Sequence, residues 1–414
     1  MIKPFYLERQ VDSYLVELFE KLPAILITGP RAAGKTTTAK KLVVSTNRLD
    51  VPAEAGAFHF DPDATLAVAN VPVLLDEWQE VPELMGAVKR AIDNDSSPGR
   101  YILTGSPRAA RGKSAWSGIG RVTNVVMYGL TVMESMGRGS QTGFLERLSK
   151  GSIDIFPKDT DPPDLVDYIE LAIRGGFPEA VINLDTRSRQ AWLETYVNQL
   201  FSKDVFTLDS PRNSLRLSKY FEALCLNSAG LAEDKTIHDA AGITRLTGKA
   251  YEQLLSELFV YEAIPAWANN KLTRLVRSQK RYITDSSLIP AALKVDQAAI
   301  LKSSDLIGRL LDTFVVSQLR PEREVSRLRP RFYHLRERDG RREIDLVIEI
   351  SDGSILGIEI KASSSVSRED SRHLSWLRDI FDTKFIAGAV IHTGPRPFVL
   401  DDRIFALPIY SIWN

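Results

Sequence analysis

The sequence is poor in cysteine, in net charge and in long apolar runs. A single cysteine, Cys225, stands among 414 residues, which excludes an intramolecular disulfide and agrees with a reducing compartment. Its expected role is that of a small buried hydrophobe. Lys and Arg total 53 and so do Asp and Glu, so overall charge gives no nucleic-acid footprint and any basic surface must be local. No charge-free apolar stretch approaches membrane-spanning length. The segment from Met1 to Gln10 lacks the apolar core of a signal peptide, so a cytoplasmic protein without a membrane partner is expected. There is no internal repeat. What remains is ordinary globular composition, 44% hydrophobic and 26% charged, at a length that fits two or three domains.

Against that background one stretch is distinctive. The apolar run Ala24 to Thr28 reads as a buried strand. Then come Gly29, Pro30, Arg31, Ala32, Ala33, Gly34, Lys35, Thr36 and Thr37, which fit the G-x-x-x-x-G-K-[ST] phosphate loop without a mismatch. Two glycines let the backbone curl so that its N–H groups face phosphate oxygens, and the helix expected over residues 35–44 adds its positive dipole end. Lys35 is expected to reach the β- and γ-phosphates of ATP and Thr36 to ligate Mg²⁺. Downstream, residues 71–77 form an apolar strand ending in Asp76 and Glu77, the form of a Walker B segment. Asp76 is expected to hold Mg²⁺ and Glu77 to polarise the attacking water.

Residues 100–106 are another apolar strand ending in hydroxyls. A polar group there can sense the γ-phosphate, with Ser106 the first choice and Thr104 the second. Arg121 ends the flexible stretch 117–121 before an expected strand over 122–128. It reads either as a finger that neutralises transition-state charge or as a surface arginine. A finger calls for a neighbouring copy, and hence a homo-oligomer, only if Arg121 cannot reach its own site. Residues 8–22 read as a helix and 58–60 as a short strand.

The phosphate loop, Leu74-Leu75-Asp76-Glu77-Trp78-Gln79, Ile102-Leu103-Thr104-Gly105-Ser106 and Ser117 to Val122 occur in that order. They resemble the bacterial and archaeal AAA-type ATPases that carry a C-terminal DUF4143 region. Arg174-Gly175-Gly176-Phe177-Pro178-Glu179, Tyr196, Lys203-Asp204-Val205 and the stretch from Lys280 to Leu288 resemble that region's signatures. The resemblance covers nearly the whole chain. It implies a P-loop α/β domain of the AAA (ASCE-like) kind, with a parallel sheet and flanking helices.

Residues 138–165 are rich in Gly, Ser, Asp and Pro, as a linker is. Residues 165–230 carry helical periodicity. From Lys235 a short helix, a turn at Gly242 and a helix over 249–260 read as a helix-turn-helix or winged-helix unit, either a DNA reader or a helical spacer. His238 is expected at the surface. The basic stretch Arg320, Arg323, Arg327, Arg329, Arg331, Arg336, Arg338, Arg341 and Arg342, with Phe332 and Tyr333 among them, suits a DNA or RNA backbone or else a solvated hairpin edge.

Residues 342–350 alternate into a strand, Asp352-Gly353 makes a turn and residues 355–361 return. Glu359 and Lys361 therefore project from one face, with Asp345 on the neighbouring strand. These are the parts of a metal-dependent nuclease site, with Asp345 and Glu359 as metal ligands and Lys361 activating water. The arrangement resembles the PD-(D/E)xK fold of restriction-type endonucleases. In that fold an acid on the preceding helix often assists, and here Asp312 stands where relatives more often carry Glu. The expected division is 1–145 P-loop ATPase, 146–300 helical domain with a winged helix, and 301–414 nuclease-like domain. Two functions fit: an ATP-hydrolysing protein, using ATP/ADP and Mg²⁺, coupled to a nuclease-like domain that contacts nucleic acid, or a non-cutting nucleotide switch that binds a protein partner.

Overall fold

The computed structural model describes residues 6–105, 120–156, 161–202, 211–268, 278–337 and 341–414. The chain forms two compact units, residues 1–130 with 257–259 and residues 131–256 with 260–414. The three parts expected from composition thus meet two units, because the helical middle and the C-terminal sheet pack together.

The first unit is built on five parallel strands: β1 (Ala24–Thr28), β2 (Ser45–Arg48), β3 (Val73–Asp76), β4 (Tyr101–Thr104) and β5 (Thr123–Val126), in the order β2-β3-β4-β1-β5. All neighbours run parallel, so every strand ends at the same edge of the sheet. β1, β3 and β4 are buried throughout, as strands covered on both faces must be. Leu26, Leu75 and Leu103 pack with Leu84, Met85, Val88 and Ile92 of the Leu84–Asn94 helix. Each fully buried side chain of this size contributes about 2 kcal/mol relative to exposure. One expectation is overturned. Residues 58–60 are the end of the Pro52–Phe60 helix, with proline in its first turn, and only Phe58 of its two phenylalanines is buried, while Phe60 is 93% exposed. A strand would have needed partners that β2 already supplies to β3.

In the second unit, the Leu165–Arg174, Thr186–Ser202 and Pro211–Leu226 helices precede a helix-turn-helix of Asp234–Ala241 and Arg245–Glu257, with Gly242 at φ +64° between them. An antiparallel ribbon, β6 (Tyr261–Ile264) and β7 (Lys280–Ile283), follows. His238 is not at the surface. It is 5% exposed and stacks near Tyr220, and a Cβ on Gly248 would strike its ring, so the two helices close over it.

The expected linker is also structured over residues 144–148. Phe144, Leu145 and Leu148 of the Phe144–Leu148 helix are buried, and Glu322 accepts the N–H groups of Phe144 and Leu145 at 2.7 and 2.8 Å. Two signature stretches meet: Gly176 N donates to Asp285 Oδ2 at 3.0 Å and Ser286 Oγ to Ala172 O at 2.7 Å. Gly175, at φ +67°, has no room for a Cβ against Asp285 and Ser287.

The C-terminal sheet comprises β8 (Arg331–Arg336), β9 (Glu343–Glu349), β10 (Ile355–Lys361), β11 (Phe385–His392), β12 (Phe398–Asp401) and β13 (Ile404–Pro408). Its order is β12-β13-β11-β10-β9-β8, and it is mixed: β10 runs antiparallel to β9 and parallel to β11. The Ser304–Val325 and Arg372–Phe381 helices pack on it. Among the described residues, no helix is long and apolar enough to cross a membrane.

Candidate active site

The phosphate loop leaves β1 at the edge where all five strands end. Its curl is left-handed at Gly29 (φ +144°), Ala32 (φ +59°) and Gly34 (φ +94°). A Cβ on Gly29 would run into Met127 O, so the first glycine is required by close approach as well as by its dihedral. The Lys35–Ala39 helix follows immediately. Arg9, a residue that sequence reasoning missed, ties the loop down. Its guanidinium donates to Ala33 O at 3.1 Å and to Tyr128 O and Gly129 O at 2.7 and 3.0 Å. Lys35 Nζ donates to Gly29 O and Pro30 O at 3.1 and 2.8 Å. Burial pushes the Lys35 pKa down to about 8, although Glu77 and Asp76 pull it up.

Three separate motifs converge on one carboxylate. Asp76 Oδ1 accepts the Thr36 hydroxyl at 2.8 Å and also the Thr104 hydroxyl. The register of the sheet explains this, since Asp76 lies directly opposite Thr104 on β4. Thr104, the second choice for the sensing group, is therefore in the site, and Ser106 lies outside the described residues. Glu77 sits just past β3 at φ +55°, a conformation that costs a non-glycine residue roughly 1 kcal/mol or more. Gln79 Nε2 donates to its Oε2. Gln79 in turn fits because Gly105 lacks a side chain, and a Cβ there would strike the Gln79 amide. The sequence Glu77-Trp78-Gln79 carried that signal only in part.

Arg121 lies elsewhere. β5 runs parallel to β1, so Arg121, two residues before β5, sits at the edge where strands begin, roughly 17–20 Å from the loop. Its Nε donates to Asp93 Oδ1 at 2.8 Å, and both side chains are partly exposed. The finger expected of Arg121 is not formed within its own site.

The second candidate site gathers around Asp345. Asp345 Oδ2 accepts Ile360 N at 2.9 Å, which places it beside Glu359. Glu359 is 4% exposed, with Lys361 Nζ and His373 Nδ1 both at 3.7 Å from its carboxylate. Burial, aided by Asp345, pushes its pKa up to about 8. The unexpected member is Lys280 of β7. Its Nζ lies 2.8 Å from Asp345 Oδ1 and 2.8 Å from Asp312 Oδ2. Burial opposes its charge, but the two carboxylates outweigh burial and raise its pKa well above the usual value. The same ammonium lowers the pKa of Asp345 against the effect of burial. The metal expected at Asp345 and Glu359 thus meets a protein cation already in place. Among the described residues, no group of three or more His, Cys, Asp or Glu could hold a metal ion.

The basic stretch does not form one strip. The Ser304–Val325 helix carries its first two arginines inward. Arg320 is 1% exposed, with Nε 2.7 Å from Glu262 Oε2 and Nη1 on Thr284 O, and Arg323 pairs with the same Glu262. Arg342 bonds Glu337 at 3.0 Å and lies over the Trp376 ring, and Arg336 is 3.8 Å from Glu343. Arg327, Arg329 and Arg331 are exposed, and Arg338 lies outside the described residues.

Comparison with known proteins finds three family matches along the chain. Residues 21–136 match the AAA domain model, residues 165–299 a domain of unknown function, DUF8612, and residues 307–412 another, DUF4143. Uncharacterized proteins of Mycobacterium tuberculosis and Mycobacterium bovis are each 25% identical over 409 residues, covering 98% of this chain and 84% of theirs. The Walker-type ATPase PABY2304 of Pyrococcus abyssi superposes with a TM-score of 0.41 at 16% identity, over 71% of this chain and 99% of its own. The chain therefore carries an AAA domain followed by a DUF4143 region, the arrangement of the AAA-type ATPases that it resembles.

Proposed function

We propose that this protein binds ATP on the loop Gly29–Thr37 and hydrolyses it. The observation that carries the reading is the convergence on Asp76 Oδ1 of Thr36 from the phosphate loop and Thr104 from the neighbouring strand. Backbone N–H groups of the loop would receive the phosphate oxygens, and Lys35 would place its charge on them. One hydroxyl and one carboxylate make an all-oxygen donor pair of the kind Mg²⁺ takes together with waters. Thr36 and Asp76 would hold that ion, which when bound neutralises charge on the phosphates. Glu77 orients the attacking water and accepts its proton, and Gln79 fixes the direction of the Glu77 carboxylate. Arg9 keeps the loop's curl from relaxing.

The test is Glu77→Gln. It keeps the shape of the site and removes the base, so ATP binding should persist while hydrolysis falls at least about 100-fold. Equal turnover in the variant and the wild type removes Glu77 from the mechanism.

For the second unit, the reading favoured is a binding module that does not cut, because Lys280 already engages Asp345. Its nucleic-acid contact, on this reading, narrows to the exposed arginines of the stretch, Arg327, Arg329, Arg331, Arg336 and Arg341 among them.

A further inference from the structure

In the second unit every carboxylate oxygen of the Asp312 and Asp345 pair is already bonded. Asp312 Oδ1 accepts the Tyr282 hydroxyl at 3.0 Å and Asp312 Oδ2 the Lys280 ammonium at 2.8 Å. Asp345 Oδ1 accepts the same ammonium at 2.8 Å and Asp345 Oδ2 the Ile360 amide at 2.9 Å. The Lys280 side chain is 3% exposed, against 13% for Asp312 and 15% for Asp345. Three chain segments deliver these groups: β7, the Ser304–Val325 helix and β9.

We propose that Lys280 is the resident cation of this site, taking the place between Asp312 and Asp345 that a divalent ion would occupy, so that the acids form a latent metal site blocked by the protein's own ammonium. The physical reason is that two enclosed carboxylates without a counter-charge repel and lose their hydration, and a cation between them relieves the repulsion and offsets part of the lost hydration. An ammonium and a divalent ion are alternatives for one position. A divalent ion would have to displace Lys280 from both of the carboxylates that it bonds. With Lys280 in place, Asp345, Glu359 and Lys361 lack the ion that phosphodiester cleavage on two acids and a lysine requires. The inference does not depend on ATP hydrolysis in the first unit.

The experiment is thermal unfolding of the full chain with and without millimolar Mn²⁺, in the absence of nucleotide, with Mn²⁺ binding followed in parallel by its electron paramagnetic resonance signal. Lys280→Met should melt roughly 10 °C lower than wild type without metal. Mn²⁺ should restore most of that loss, with one additional bound ion. The double variant Lys280→Met with Asp345→Asn should recover stability without metal and bind no additional Mn²⁺. Wild type should gain nothing from Mn²⁺ that Asp345→Asn removes. Two results overturn the proposal: a wild-type gain that depends on Asp345, or a Lys280→Met protein that folds and takes up no additional ion. Should Lys280→Met fail to fold, the double variant decides. If it folds, the charge balance is as proposed, and if it fails as well, Lys280 is needed for reasons other than countering these acids.

Discussion

Asp76 and Asp345 are both largely enclosed acids on sheet strands, and they are neutralised in different ways. Asp76 is held by two hydroxyls, Thr36 and Thr104. Asp345 is held by an ammonium, Lys280, and a backbone amide. A hydroxyl orients a carboxylate and still offers oxygen lone pairs to an incoming cation. An ammonium has no lone pair and carries the charge itself. The difference teaches that the presence of acids near a lysine does not identify a metal site. What decides is whether the donors already in contact can share the position with an ion.

The sharpest way to break the comparison is Lys35→Ala. It should lower ATP turnover by at least about 100-fold, because the loop loses its point charge on the phosphates. Melting of the second unit should not change. A fall in both would mean that the two sites do not act separately.

A third kind of buried acid sharpens the contrast. Glu322 is held by backbone N–H groups alone, and burial pushes its pKa up to about 7. An acid whose pKa is raised on folding is penalised when ionised. The contribution of Glu322 to the stability of the second unit should therefore fall as pH rises from about 4.5 to about 7, by at most about 3 kcal/mol. Melting curves across that window check it. Glu322→Ala should reduce the slope without abolishing it, since Glu359, whose pKa is pushed up to about 8, contributes in the same direction, while costing roughly 1–3 kcal/mol at low pH because two buried amides lose their acceptor. A slope unchanged in the variant assigns the pH dependence to another group.

Smaller still is the effect expected at the exposed arginines. If they track a nucleic-acid backbone, changing Arg327, Arg329 and Arg331 to Ala should reduce the slope of log affinity against log salt by up to about three. A salt-independent affinity leaves these arginines as solvated surface. The smallest effect belongs to Arg121→Ala. Its partner Asp93 is exposed, so stability should change by no more than about 0.5 kcal/mol and turnover not at all. A large loss of turnover would place Arg121 at the site of a second copy.

The first unit was legible in the sequence because its chemistry is local. Gly29 to Thr36 is one continuous turn, and Asp76 and Glu77 end one strand. The place of Thr104 beside Asp76 follows from the sheet register alone. The second unit was legible as a hairpin but not as a site. Lys280 precedes Asp312 by 32 positions and Asp345 by 65, on a strand belonging to another sheet, and no periodicity links them. Arg320 misled for a related reason. A run of arginines reads as a surface, yet the helix continues through Pro321 to Val325 and turns Arg320 toward Glu262. His238 was placed outside because a polar residue on a short helix usually is, and the missing side chain of Gly248 made room for it.

The junction of Gly176 with Asp285 bears on how this protein can be recombined. The two stretches lie 109 positions apart in the chain yet share a hydrogen bond, a carbonyl capped by Ser286 and a glycine with no spare volume. A chimera that exchanges one stretch with a relative and keeps the other would pair a foreign backbone with a native carboxylate. Crossover points for such libraries therefore belong outside both stretches, so that the two travel together as a single inherited block.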